Sequence, residues 1–339
     1  MKILGLFLLL LVVGCSHGAL QVGFYDEQCG ANDVESIVRG VVTTSFASDQ
    51  TIVAALLRLQ FHDCFVTGCD ASLLLDGNST EKNTSPNRSV RGYEIIDEAK
   101  AAVEALCPDL VSCADIIAIA TRDAVSLAGG PSYNVQTGRR DGLSAATTVN
   151  LPSPSFTVSQ SIAAFKTKGF NVNDMVLLLG AHTVGVTHCP LIQSRLYNFH
   201  GTGNPDPSMD KTLASQLRTI CPNTNPPPGT AIFLDQNTSS AFVVDNDFFK
   251  QILSNRGILQ IDQALALDPA TRNIVTALAS DGPSGPGLGL GRGSGRGRGR
   301  GRIVSNFMSG FGEAMVKMGA LQVLTGSQGE IRKSCRVAN

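Results

Sequence analysis

No tryptophan occurs in this chain, strand-like alternation is scarce, and its N-terminal apolar run is too short to cross a bilayer. The first absence removes the usual fluorescence probe of the core. The second leaves helices as the main structural element. As for the third, Ile3 to Val13 is about eleven residues, too few for ~30 Å of hydrocarbon. The run follows one lysine, Lys2, and precedes the small residues Gly14, Ser16, Gly18 and Ala19. That is the pattern of a secretory signal peptide, so residues 1–20 are expected to be cleaved, with the cut around residues 18 to 20.

Acid is missing from two places. The first twenty residues contain one Lys and no acid, and Gly282 to Arg302 contains five Arg and no acid. Setting both aside leaves 21 basic against 28 acidic residues, so the near-neutral total hides a body of about −7. A body of that charge is a poor general nucleic-acid binder. The run itself has ten Gly and five Arg in 21 residues and cannot bury a core. It reads as an RGG-like polyanion-binding segment, a disordered loop, or a translated intron. Secretion and the helical sequence on both sides favour the last two, and residues 282–302 are expected to be a disordered insertion.

Cysteine is plentiful. Of nine, Cys15 leaves with the signal peptide, and eight remain: Cys29, Cys64, Cys69, Cys107, Cys113, Cys189, Cys221 and Cys335. An even set in an oxidising compartment reads as four disulfides, with 105 possible pairings. Only Cys64–Cys69 is suggested by closeness. Four sequons, at Asn78, Asn83, Asn87 and Asn237, fit secretion.

Apolar periodicity of helical type recurs along the chain. It opens after Asn32 as a cap at Val34, then covers Ile52 to Phe61, Tyr93 to Leu106 and Ser112 to Leu127. Further stretches are Thr157 to Lys168, Asn173 to Leu179, Pro190 to Tyr197, Phe242 to Leu253, Pro269 to Ala279 and Phe307 to Met318. The expectation is a mostly helical globule whose long loops, such as Gly129 to Pro154, rely on disulfides.

Chemistry-bearing residues crowd into RLQFHDCFVTGCDAS, Arg58 to Ser72. Arg58 and His62 stand at i and i+4, on one helical face. A histidine beside a fixed cation protonates less readily, as a general base requires, and the arginine can stabilise developing negative charge. Asp63, Gly68, Asp70 and Ser72 form a cluster of hard oxygens such as Ca²⁺ prefers, though not at EF-hand spacing. A zinc site from His62, Cys64 and Cys69 is the rival, weakened by oxidation of secreted thiols. His182, in LLLGAHTVG, ends an apolar run beside small residues, as an axial haem ligand would; His188 lies in a polar turn.

Those stretches, together with VSCAD, GRRD and QGEIRKSCR, resemble the plant secretory (class III) haem peroxidases. The resemblance covers the mature chain, residues 21–339, apart from Gly282 to Arg302. It implies an all-α haem peroxidase fold of ten or more helices, in distal and proximal subdomains that sandwich the haem and carry four disulfides. It implies one haem b and two Ca²⁺. The activity implied is reduction of hydrogen peroxide and one-electron oxidation of small phenolic or aromatic donors, through ferryl and porphyrin-radical intermediates.

Position by position, the resemblance makes Arg58 and His62 the distal catalytic pair, with Phe61 packing over the haem. Asn87, following Glu81-Lys82, would accept a hydrogen bond from His62, which would bury it and leave its sequon unused. His182 would be the axial ligand, and Asp262, in QIDQ, its carboxylate partner. One Ca²⁺ would take Asp63, Asp70 and Ser72 side chains and the Val66 and Gly68 carbonyls, with Glu81 just outside. The other would take Thr183, Asp235, Thr238, Val243 and Asp245. The implied disulfides are Cys29–Cys107, Cys64–Cys69, Cys113–Cys335 and Cys189–Cys221. Asp115 and Arg139 would form a buried structural ion pair, and Pro152 would border the donor site.

Two departures stand out: Tyr133 occupies a position where many members of that family carry Trp, and the Gly/Arg run is inserted. The expected protein is a secreted monomer of the apoplast rather than the vacuole, with no nucleic-acid or membrane partner. A calcium-stabilised binding protein without haem and an RGG-type nucleic-acid binder are the alternatives. The intact Arg58, His62, Asn87 and His182 set argues against the first, and the signal peptide against the second.

Overall fold

The computed structural model describes residues 19–224, 226, 229–280 and 306–339. The expected signal peptide, except residues 19 and 20, and the Gly/Arg run lie outside the described residues. Twelve α-helices are described: α1 (Val34–Ser48), α2 (Ile52–Cys64), α3 (Tyr93–Leu106), α4 (Cys113–Leu127), α5 (Val158–Thr167) and α6 (Val172–Leu179). They continue as α7 (Cys189–Tyr197), α8 (Lys211–Ile220), α9 (Asp247–Leu253), α10 (Gln260–Leu267), α11 (Arg272–Ala279) and α12 (Phe307–Gly319). Among the described residues the only strands are β1 (Val186–His188) and β2 (Ala231–Phe233), antiparallel, with Thr187 opposite Ile232.

Capping chemistry fixes many of the helix starts. Asp33 accepts from the Glu35 N–H, Ser112 from Asp115, and Asn306 from Ser309. α5 and α6 open on reciprocal capping boxes, Thr157 with Gln160 and Asn171 with Asp174. α4 is buried almost all round, from Cys113 to Val125, so it becomes the central helix on which α1, α2 and α3 pack. A second group forms where α9 meets α10 and α11. α12 touches α2 of the first group and also α6, which packs on α11 of the second, and so joins the two groups.

Two helices go beyond the periodicity. α8 is mostly polar, with only Leu213, Ala214 and Leu217 buried, and it starts because the Asp210 carboxylate caps the Leu213 N–H. α10 is eight residues long and contains the QIDQ motif. α9 begins at Asp247 rather than at Phe242, because Phe242 and Val243 are exposed and Asp245 Oδ1 accepts the Asp247 N–H.

The eight cysteines pair as Cys29–Cys107, Cys64–Cys69, Cys113–Cys335 and Cys189–Cys221. The C-terminal segment beyond α12 folds back over the loop after α2. The Cys69 N–H donates to Leu321 O at 3.0 Å, and Arg140 N–H to Leu324 O at 2.9 Å. Arg332, wholly buried, donates to Ala71 O at 2.8 Å, Cys335 O at 3.2 Å and Gly142 O. Removing its charge would leave several buried carbonyls without donors. Arg332→Met is therefore expected to cost on the order of 3 kcal/mol, read as a lower urea midpoint. An unchanged midpoint would show that the arginine does not hold the segment down.

Candidate active site

Helix α2 sets Arg58 and His62 one turn apart. His62 Nδ1 lies 2.6 Å from Asn87 Oδ1, while Asn87 Nδ2 donates to Glu81 O at 3.0 Å. The amide is thereby oriented: its NH₂ is taken, its oxygen faces the ring, and Nδ1 must donate. Nε2 is left as a bare acceptor, approached by Arg58 Nε at 3.3 Å. Burial, then the neighbouring Arg58 charge, push the His62 pKa down to about 4, with the Asn87 bond opposing both. The ring is neutral at ordinary pH.

Arg58 is itself fixed by the loop after Asn87. Its Nη1 donates to Ser89 O at 2.9 Å, and Nη2 to Pro86 O at 2.9 Å and Ser89 Oγ at 3.1 Å. Ser89 was not a sequence candidate, since a serine 31 residues away carries no periodic signal. Phe61 stands edge-on to the His62 ring at 5.8 Å and packs on Phe65.

The second histidine sits in a 3-10 turn, Gly180–Thr183, that continues α6. His182 Nδ1 meets Asp262 Oδ1 at 2.8 Å, and Asp262 is wholly buried on α10. A carboxylate can only accept, so Nδ1 carries the proton and Nε2 is free for a ligand. Burial disfavours charge on His182, but the Asp262 carboxylate outweighs it and raises the pKa. α2 packs against this turn. Contact is that close because Gly185 has no side chain: a Cβ there would lie 2.8 Å from the Ala54 Cβ on α2. Phe248 stands edge-on to His182 at 6.0 Å, and His188 is exposed on β1. One imidazole with a free Nε2 beside Phe248, and a second held neutral on the helix that packs against its turn, thus lie on neighbouring elements.

Oxygen atoms gather after His62. Asp63 is buried and accepts the Ala71 and Leu73 N–H groups. Burial, then the neighbouring Asp70 and Glu81 charges, raise its pKa. Asp70 Oδ1 and Ser72 Oγ both lie within reach of Thr67 Oγ1, at 3.3 and 3.0 Å. Glu81 Oε1 accepts the Ala146 N–H, and its carboxylate is otherwise buried beside Ser72. Gly68 presses on Gln322, whose carbonyl oxygen would lie 2.4 Å from a Cβ at that position. The Val66 carbonyl accepts from Lys168 Nζ at 3.0 Å, a cation that sequence reading did not place there. Among the described residues no three His, Cys, Asp or Glu side chains converge as a metal site. Any ion here would thus depend on hydroxyl and carbonyl oxygens as well.

Near His182, Thr183 Oγ1 donates to Asp245 Oδ1 at 3.1 Å and approaches Val243 O at 3.4 Å. Asp235 accepts the Ser240 hydroxyl at 2.8 Å, and burial raises its pKa to about 6, with Asp247 and Asp245 adding to the rise. Thr238 is exposed, and Ser240, absent from the sequence candidates, is the hydroxyl on Asp235. Pro152 is half-buried in a loop tied to α10, where the Ile261 N–H donates to Pro154 O at 3.1 Å and Gln260 Nε2 to Ser155 O at 2.9 Å. Asp115 and Arg139 form a buried ion pair at 2.7 Å, closed by Arg139 Nε donating to Gly319 O.

A family model described as Peroxidase matches residues 38–281. Among curated proteins of Arabidopsis thaliana, Peroxidase 60 is 48% identical over 98% of this chain and 94% of its own length. Peroxidase 57 is 48% identical over 100% and 98%, and Peroxidase 44 is 49% identical over 98% and 97%.

In ¹⁵N-resolved NMR, the His62 ring is expected to titrate near pH 4 rather than near the ordinary 6.5. A midpoint above 6 would contradict the hydrogen-bond arrangement described for it.

Proposed function

This chain belongs to the peroxidase family, as a plant secretory haem peroxidase that reduces hydrogen peroxide and oxidises donor molecules, and on that premise we propose how its residues divide the work. Haem supplies the redox chemistry, accepting oxidising equivalents from peroxide and passing them to donors one electron at a time. His62 Nε2 would take a proton from one oxygen of peroxide and return it to the other, which leaves as water as the O–O bond breaks, the two electrons for that cleavage coming from the redox chemistry that haem would supply. Arg58 stabilises the negative charge that develops on the departing oxygen. Asn87 holds Nδ1–H so that Nε2 is the basic nitrogen. What supports this reading most is the 2.6 Å His62–Asn87 contact, with the Asn87 amide already oriented by Glu81 O.

His182 is proposed as the axial ligand, with Asp262 drawing on its Nδ1 proton and enriching the ring's electron density. One haem b per chain is proposed. Small phenolic donors would dock by Pro152. One Ca²⁺ would sit among Asp63, Gly68, Asp70 and Ser72, with Val66 available only if Lys168 yields, and Glu81 behind. A second would sit among Thr183, Asp235, Val243 and Asp245, with Thr238 or Ser240 completing it. The protein would be a secreted, apoplastic monomer. No helix among the described residues is long and apolar enough to cross a membrane.

Three outcomes test the reading. His62→Ala should retain haem but react with hydrogen peroxide about 10³-fold or more slowly in stopped flow, since base and acid are lost together. A near-native rate would overturn the assignment. Chelating Ca²⁺ should lower the melting temperature; an unmoved curve would count against both ion sites. In the secreted protein, intact-mass peptide mapping should find Asn87 and Asn237 unglycosylated. Asn87 is buried against His62, and Asn237 Nδ2 is committed to Asp247 at 2.7 Å.

A further inference from the structure

Arg195, on α7, is with Arg332 one of the two largest fully buried side chains, and it lies outside every motif considered above. Its Nε donates to Asp206 Oδ2 at 2.8 Å, and the Asp206 N–H returns a bond to Arg195 O at 2.7 Å. Three consecutive carbonyls converge on its Nη1: Gly257 at 2.6 Å, Ile258 at 2.7 Å and Leu259 at 3.1 Å. These residues are the approach to α10, whose third residue is Asp262. A buried ion pair is weak evidence for stability, since an apolar replacement often costs nothing. What distinguishes this one is the geometry that it imposes.

The Ile258 carbonyl and the Leu259 N–H belong to one peptide group. Arg195 grips its oxygen, and its N–H donates to Asp262 Oδ2 at 3.4 Å. The other carboxylate oxygen, Oδ1, takes the His182 proton at 2.8 Å. A single rigid amide thus separates the guanidinium from the carboxylate, and a single carboxylate separates that amide from the imidazole. From the far side, Gln263 Oε1 accepts the Gly257 N–H at 3.0 Å and fixes the same turn.

We propose that Arg195, held by Asp206, is a positioning residue that sets the aim of the Asp262 carboxylate at His182 through the 258–259 peptide. This rests on His182 being the axial ligand. Two effects of opposite sign compete. Polarising the peptide strengthens its N–H and draws charge away from Asp262, but a bond of 3.4 Å transmits little. Fixing the turn keeps the 2.8 Å Asp262–His182 bond short, and this effect dominates. Loss of Arg195 therefore weakens the pull on the Nδ1 proton and leaves the axial imidazole less electron-rich.

The test uses haem-loaded protein carrying Arg195→Lys, Arg195→Met or Asp206→Asn, with the iron–histidine stretch of the ferrous state and the ferric/ferrous potential as readouts. All three variants should lower the stretching frequency and raise the potential. Arg195→Lys, which keeps the charge but reaches fewer carbonyls, should fall between wild type and Arg195→Met. Should Arg195→Met fail to fold, Arg195→Lys and Asp206→Asn carry the comparison. Wild-type frequency and potential in folded variants, whatever their melting temperatures, would overturn the proposal. A wild-type protein with haem but no iron–histidine stretch would overturn the axial assignment and the proposal with it.

Discussion

A histidine presents a chosen bare nitrogen only if it is neutral and something accepts a hydrogen bond from the N–H of the other one. Both chemistry-bearing histidines here meet that condition through Nδ1, one with a neutral amide and one with a carboxylate. Asn87 gives His62 a partner without charge, so burial and Arg58 keep the ring neutral and basic at Nε2. Asp262 gives His182 a charged partner, which pulls on the proton and enriches the ring. A charged partner in place of Asn87 would raise the His62 pKa towards protonation. The proposed division between proton handling at His62 and ligation at His182 therefore rests on one amide and one carboxylate.

Much of the remaining structure serves to hold those partners. Asn87 is oriented by Glu81 O, and Glu81 Oε1 is fixed by the Ala146 N–H. Arg58 is clamped by Pro86 and Ser89. Asp63, next to His62, anchors the following loop by accepting two of its backbone N–H groups. The far end of the chain closes that loop: Leu321 O receives Cys69 N–H, and Arg332 reaches Ala71 O. Residues after position 305 are thus needed to finish a site that begins at Arg58.

The helical class and the two histidines were legible in the sequence because each belongs to a local pattern, while their partners Asn87 and Asp262 came only from the resemblance. Arg58 and His62 share a helical face; His182 ends an apolar run. The resemblance to a known family supplied the pairing of partners that lie far apart, such as Asn87 with His62. What remained illegible was made by single contacts across long separations. Ser89 on Arg58, Ser240 on Asp235, Lys168 on Val66 O and Arg195 on the 257–259 carbonyls involve common residue types in no periodic arrangement. α8 escaped notice because three small or aliphatic contacts and one aspartate cap suffice to hold a polar helix in place.

The proposal that His182 Nε2 is the protein atom that holds the haem iron is tested most directly by ligand rescue. His182→Gly should bind haem loosely, with an altered absorbance spectrum and little spectral change on adding hydrogen peroxide. Imidazole at millimolar concentration should restore both, because the vacated volume lies beside an intact Asp262. A His182→Gly protein that kept the wild-type spectrum and peroxide response without imidazole would contradict the account.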